Sequence, residues 1–134
     1  MAYALPPEQA YVIWCLAWLA PCVAFFGWLR GHTVLAAVHG LAGLFALAYW
    51  RDPDMTSWRR TFDITWVQVT LWTFCWEARN AEFRVPYYMF AALGALVYPI
   101  GWLVMDRPWL AGLVHALCHV FAESAAFVLF SGRV

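Results

Sequence analysis

Apolar residues in this chain come in long blocks rather than alternating with polar ones. Five runs approach the roughly 20 residues that a helix needs to cross about 30 Å of hydrocarbon. They extend from about Ala10 to Leu29, Thr33 to Trp50, Trp58 to Trp76, Pro86 to Met105 and Pro108 to Ser131. The second reads TVLAAVHGLAGLFALAYW, whereas the third contains TFDITWVQVT and is the least apolar. The pattern predicts an all-α, polytopic transmembrane helical bundle of about five spans forming a single domain over residues 1–134. Four spans plus one interfacial helix is the alternative.

The residues between the runs agree with helix chemistry. Pro86 and Pro108 open the fourth and fifth runs, where the N–H that proline lacks would have had no partner. Asp106 and either Asp54 or Thr56 stand at capping positions, and Pro21 falls inside the first run. Tyr11, Tyr49, Trp50, Trp58, Trp76, Tyr87, Tyr88 and Trp109 mark the ends of runs and are expected to anchor at the membrane interface. Arginines do not orient the bundle, because Arg51, Arg59, Arg60 and Arg107 on one side balance Arg30, Arg79, Arg84 and Arg133 on the other. No signal peptide is expected, since no basic residue precedes the first run.

Composition supports the same solvent. Hydrophobic residues make up 65% of the 134 positions and charged residues 12%, against about 45–50% and 25% in soluble domains. Eight arginines, with no lysine, balance eight acidic residues. That neutrality gives no reason to expect a nucleic-acid partner. Cys15, Cys22, Cys75 and Cys118 lie in apolar runs without CxxC spacing, so they are expected to be small buried packers rather than a disulfide or zinc framework.

Ionisable side chains are costly in hydrocarbon and must face a partner, a cavity or a ligand. Apart from Arg59 and Arg60 at the start of the third run, those within the runs are His39, Asp63, His115, His119 and Glu123. Asp63 follows Arg59 by four residues and Arg60 by three, which predicts a local ion pair. His39 lies beside Ala36, Gly40 and Gly43, a surface that another helix can approach closely, so it is expected either to bond across to that helix or to ligate. HALCHVFAES places His115, His119 and Glu123 at i, i+4 and i+8 on one helix face. Two histidines one turn apart suit a metal or the metal of a tetrapyrrole; ordinary interhelical bonds to Gln68 and the threonines of the third run are the competing reading.

His39, Asp63, His115 and His119 are similar in type and order to the zinc-holding residues of the alkaline ceramidase-like membrane hydrolases. That resemblance implies zinc on His39, His115 and His119, with Asp63 orienting a metal-bound water that attacks a lipid amide or ester. The chain departs from the family in having about five spans instead of seven, and in carrying Leu35 where a serine is expected. The likeness consists of four scattered residues and does not amount to membership.

The rest of the chain has no phosphate loop, nucleophile elbow or clustered carboxylates, and 19% of it is aromatic. Trp14, Trp18, Phe25, Phe26, Trp66, Trp72 and Phe74 are expected to crowd surfaces facing lipid or a partner. The leading expectation is therefore a non-catalytic accessory subunit of a large membrane complex, photosynthetic or respiratory. It would pack membrane lipids and other transmembrane subunits in an energy-converting membrane. His39, His115, His119 or Glu123 would bind a chlorophyll or haem cofactor, and zinc belongs to the hydrolase alternative. A proton pathway through His39, Asp63 and Glu123 is permitted by the charges, but the internal repeats common in transporters are missing.

Overall fold

The computed structural model describes residues 4–134. Among these residues every regular element is helical: α1 Pro7–Ala17, α2 Leu19–Leu29, α3 Thr33–Trp50, α4 Trp58–Glu77, α5 Arg84–Leu103 and α6 Pro108–Ser131, with a 3-10 turn at Ala78–Asn80. The helices form a bundle. Four stretches are both long and apolar enough to cross a membrane: Pro7–Leu29, Thr33–Trp50, Arg84–Leu103 and Pro108–Ser131. The fifth long helix, α4, runs alongside α3 but is more polar than the other four.

The first span is two helices rather than one. Pro21 has no N–H for the carbonyl of Ala17, and its ring crowds that carbonyl. The chain breaks at Trp18, whose N–H reaches the Cys15 carbonyl at 3.4 Å instead. The following turn is built on Gly31, at φ 89°. There the His32 N–H bonds the Gly27 carbonyl and the Gly31 N–H bonds the Trp28 carbonyl, each at 3.0 Å. This pair of bonds closes α2 with a left-handed cap that glycine adopts without strain.

Lipid tails are as apolar as leucine, so helix association here depends on close packing and polar bonds rather than on escape from water. A Cβ on Gly43 would lie 2.8 Å from Ala20 Cβ and 2.9 Å from Pro21 Cδ, so α2 and α3 meet at van der Waals distance. Opposite Gly27, the Phe130 ring leaves equally little room, at 2.7 Å. α3 and α4 are joined by the Trp66 indole N–H, which donates to the Val38 carbonyl at 2.9 Å. Phe45 adds tilted ring contacts with Phe62 and Trp66. α5 packs most extensively on α6, and α1 lies against α3 and α6.

Two buried clusters occupy the bundle. One gathers Ala10, Ile13, Ala17, Ala46, Tyr49 and Trp50 between α1 and α3. The other gathers Leu35, Phe74, Ala78, Ala81, Tyr87, Ala125, Ala126, Leu129 and Phe130. Tyr49, Trp50 and Tyr87 are thus core residues rather than interfacial anchors, and Phe74 is core rather than surface. Cys15 and Cys22 are exposed instead of buried, and all four cysteines are free.

The ends carry the charges that the sequence assigned to them. At one end Arg30 Nη2 donates to the Ser131 carbonyl at 3.1 Å, and Arg133 lies 3.6 Å from Glu82. At the other, Arg59 pairs with Asp52 at 3.0 Å, and the Ala4 N–H reaches the Pro53 carbonyl. The caps differ from expectation. Ser57, not Asp54 or Thr56, caps α4, its Oγ accepting from the Arg60 N–H. Asp54 instead folds its own loop, accepting from the Thr56 N–H at 2.9 Å and hydroxyl at 2.8 Å. Those two bonds hold the exposed Asp54 carboxyl below the usual carboxylate range. Arg107 precedes α6 without a side-chain cap, and Asp106 sits 3.9 Å from its guanidinium.

Candidate functional site

A cavity of about 530 Å³ lies between α3, α4, α5 and α6. Its origin is a packing gap: α4 is held along its length by α3 but is not packed extensively against α5 or α6. Small residues on the facing helices widen it, namely Ala42, Gly43 and Ala46 on α3, Ala91, Gly94 and Ala95 on α5, and Ala122, Ala125 and Ala126 on α6. The cavity gathers the polar groups of the spans, since His39, Asp63, Gln68, His115, His119 and Glu123 all line it.

His39 and Glu123 form a direct bridge. The His39 Nε2–H donates to Glu123 Oε2 at 2.8 Å, joining α3 to α6, with both side chains at least nine-tenths buried. Phe74 and Phe130 flank the imidazole at ring-centre distances of 5.6 and 6.2 Å. The small-residue face beside His39 packs on α2, as the Gly43 and Gly40 contacts with Ala20 and Ala24 show. His39 Nδ1 has no hydrogen-bond partner in the protein. With Nε2 protonated, Nδ1 of a neutral imidazole is an acceptor.

His115 and His119 are one turn apart on α6, their ring centres separated by 5.2 Å. Trp50 lies against His115 at 4.6 Å, and Tyr98 approaches it at 6.5 Å. Neither aromatic stands out as a site residue in the sequence, where Trp50 reads as an interfacial anchor. The i, i+4, i+8 face therefore divides: two imidazoles sit among rings while the carboxylate turns to α3.

Asp63 does not form the expected ion pair. Arg59 is taken by Asp52 and by the carbonyls of Ala48 and Asp52. Asp63 is only 9% exposed, and its Oδ1 has no hydrogen-bond partner. Nor do the α4 threonines reach α6. The hydroxyls of Thr70 and Thr73 donate to the carbonyls of Trp66 and Val69 one turn back in their own helix.

Among the described residues, no three of His, Cys, Asp or Glu stand close enough together to hold a metal ion. The zinc set of His39, His115 and His119 is not assembled, because Glu123 takes His39 Nε2 and aromatic rings surround His115. The structure thus brings the candidate residues to one cavity but not to one metal-binding point.

No known protein family, curated protein or solved structure matches the chain.

Proposed function

We propose that the protein is a non-catalytic membrane subunit that holds a small, mostly apolar molecule in the cavity between α3, α4, α5 and α6. The observation that carries this reading is the cavity itself. Its volume of about 530 Å³ falls within the roughly 300–1,000 Å³ of small-molecule sites. Its lining is mostly apolar, chiefly alanine, glycine and aromatic residues, with a few convergent polar groups, the usual composition of such a site. Binding is favoured over hydrolysis because the lining includes no serine and the three histidines are not assembled as zinc ligands.

Membership of a larger assembly is part of the same proposal. Of the residues in α5 only Tyr87 is buried, so the face of that helix turned away from α6 is open to lipid or a neighbouring subunit. A chlorophyll or haem in a photosynthetic or respiratory complex is one specific occupant. His115 and His119 would then be the available axial ligands, since His39 Nε2 and Glu123 are engaged with one another.

The test is purification from the native membrane in mild detergent, followed by native electrophoresis, visible absorbance and solvent extraction with mass spectrometry. A small molecule recovered at about one per chain supports the binding role, and an absorbance band identifies a tetrapyrrole. Protein that yields no such molecule overturns it. Migration only within a much larger species supports the subunit role, and a free monomer overturns that part.

A further inference from the structure

The cavity has a way in from the side. α4 and α5 are its two outer walls, and they are joined only near one end. There the 3-10 turn links them, the Tyr88 hydroxyl donates to the Cys75 carbonyl at 2.7 Å, and Cys75 Sγ lies 3.6 Å from the Tyr87 hydroxyl. Beyond that junction the two helices are not packed extensively together. Val67 on α4 and Tyr98 and Trp102 on α5 line the cavity yet are 46%, 45% and 50% exposed. A closed interior would cover such side chains. The exposed side chains at this gap are apolar or aromatic, which suits an opening toward lipid better than one toward water.

What the gap leads to is polar. Asp63 lines the cavity and is nine-tenths buried, with an oxygen that no protein group satisfies. A buried carboxylate in that position needs a hydrogen-bond donor. A hydroxyl group supplies one, since its O–H donates to the carboxylate. The depth also fits. Asp63 and His115 are five and seven residues into helices that start at the same end of the bundle, which places them about 8–10 Å along those helices at 1.5 Å per residue. An alcohol just below the headgroups, with its chain continuing inward, meets them there.

We infer that the occupant is an amphiphile of the bilayer bearing a free hydroxyl, and that it enters sideways between α4 and α5 to place that hydroxyl on Asp63. This rests on the binding role proposed above and names its ligand class and route.

The experiment uses full-length protein in nanodiscs with two photoreactive probes of the same acyl chain: a monoacylglycerol, which has free hydroxyls, and the corresponding methyl ester, which has none. Labelled residues are mapped by mass spectrometry. The monoacylglycerol should label cavity positions such as Ile64, Val67 and Ala95, with at least tenfold preference over the ester. Asp63→Leu should remove most of that preference, as expected for the loss of a hydrogen bond to a charged group. Ala95→Trp, on the exposed lip of the gap, should reduce cavity labelling several-fold.

Equal labelling of the cavity by both probes, or Ala95→Trp labelling as the wild type does, would overturn the hydroxyl or the route while leaving the binding role intact. Labelling confined to the outer surface, together with no co-purified molecule, would overturn both readings and leave a water-filled cavity. The wild-type map decides between these outcomes even if a variant fails to fold.

Discussion

Replacing Glu123 by alanine strands the His39 Nε2–H in the interior, and the cost measures how much the α3–α6 bridge holds the bundle together. Three magnitudes compete. Removing one partner of a buried ion pair in a soluble protein costs about 3–5 kcal/mol, and losing a hydrogen bond to a charged group costs about 1.5–3 kcal/mol. Interhelical polar bonds in membranes average only about 0.6 kcal/mol, with a maximum near 1.7. The membrane values are lower because a chain unfolded in lipid finds other partners. The His39 and Glu123 side chains are just 7% and 10% exposed at a separation of 2.8 Å, so the upper membrane value applies, with some lost packing added. The expected cost is about 2 kcal/mol.

Glu123→Gln keeps an acceptor and should cost less than about 1 kcal/mol. His39→Phe places a ring beside Phe74 and Phe130, which already flank the imidazole. Combined with Glu123→Leu it removes both polar groups together, so the double variant should lie within about 1 kcal/mol of wild type. The assay is a double-mutant cycle on reversible unfolding in mixed micelles. Additive single effects, with no coupling energy, would refute the claim that this pair bonds across the two helices.

Other expectations follow from single sites. Gly43→Leu should destabilise by about 1–3 kcal/mol through overpacking, because Ala20 and Pro21 leave no room, whereas Gly40→Ala should be nearly neutral, its new Cβ meeting only Ala24 at 3.5 Å; the same unfolding assay compares them. Gly31→Ala should cost about 1 kcal/mol through backbone strain alone, since φ is 89° and no atom lies within 4 Å of the added Cβ. The Asp54 carboxyl, held down by Thr56, should titrate below the ordinary value of about 3.9 when followed by carboxyl NMR, and Thr56→Val should raise its midpoint. Because the folded value is depressed, its contribution to loop stability is complete above that ordinary value and fades as pH falls through the lower one. A Thr56→Val midpoint equal to wild type would remove the hydroxyl from that account.

The spans were legible because hydropathy over about 20 residues is a property of each segment alone. α3 occupies the predicted Thr33–Trp50 and α6 the predicted Pro108–Ser131. The first run reads as one span with Pro21 inside it, and its break at Trp18 follows from which carbonyl loses its donor. Local rules misled where a distant element competed. Asp63 had two arginines at pairing distance along its own helix, yet Arg59 reaches Asp52, and the α4 threonines satisfy themselves on backbone carbonyls. Trp50 and Tyr87 read as anchors by position, and tertiary packing buries them.

By itself the amino-acid order determined the solvent, the helices and the short set of side chains that cannot face hydrocarbon, since each depends on local composition and periodicity. Which of those side chains meet was decided only in three dimensions. His39 and Glu123 are 84 residues apart, and no spacing rule connects them. The cavity arises in the same way, because small residues on α3, α5 and α6 make room only when α4 is held off by its packing on α3. Helix formation satisfies backbone groups within one segment, whereas bridges and cavities depend on which segments become neighbours.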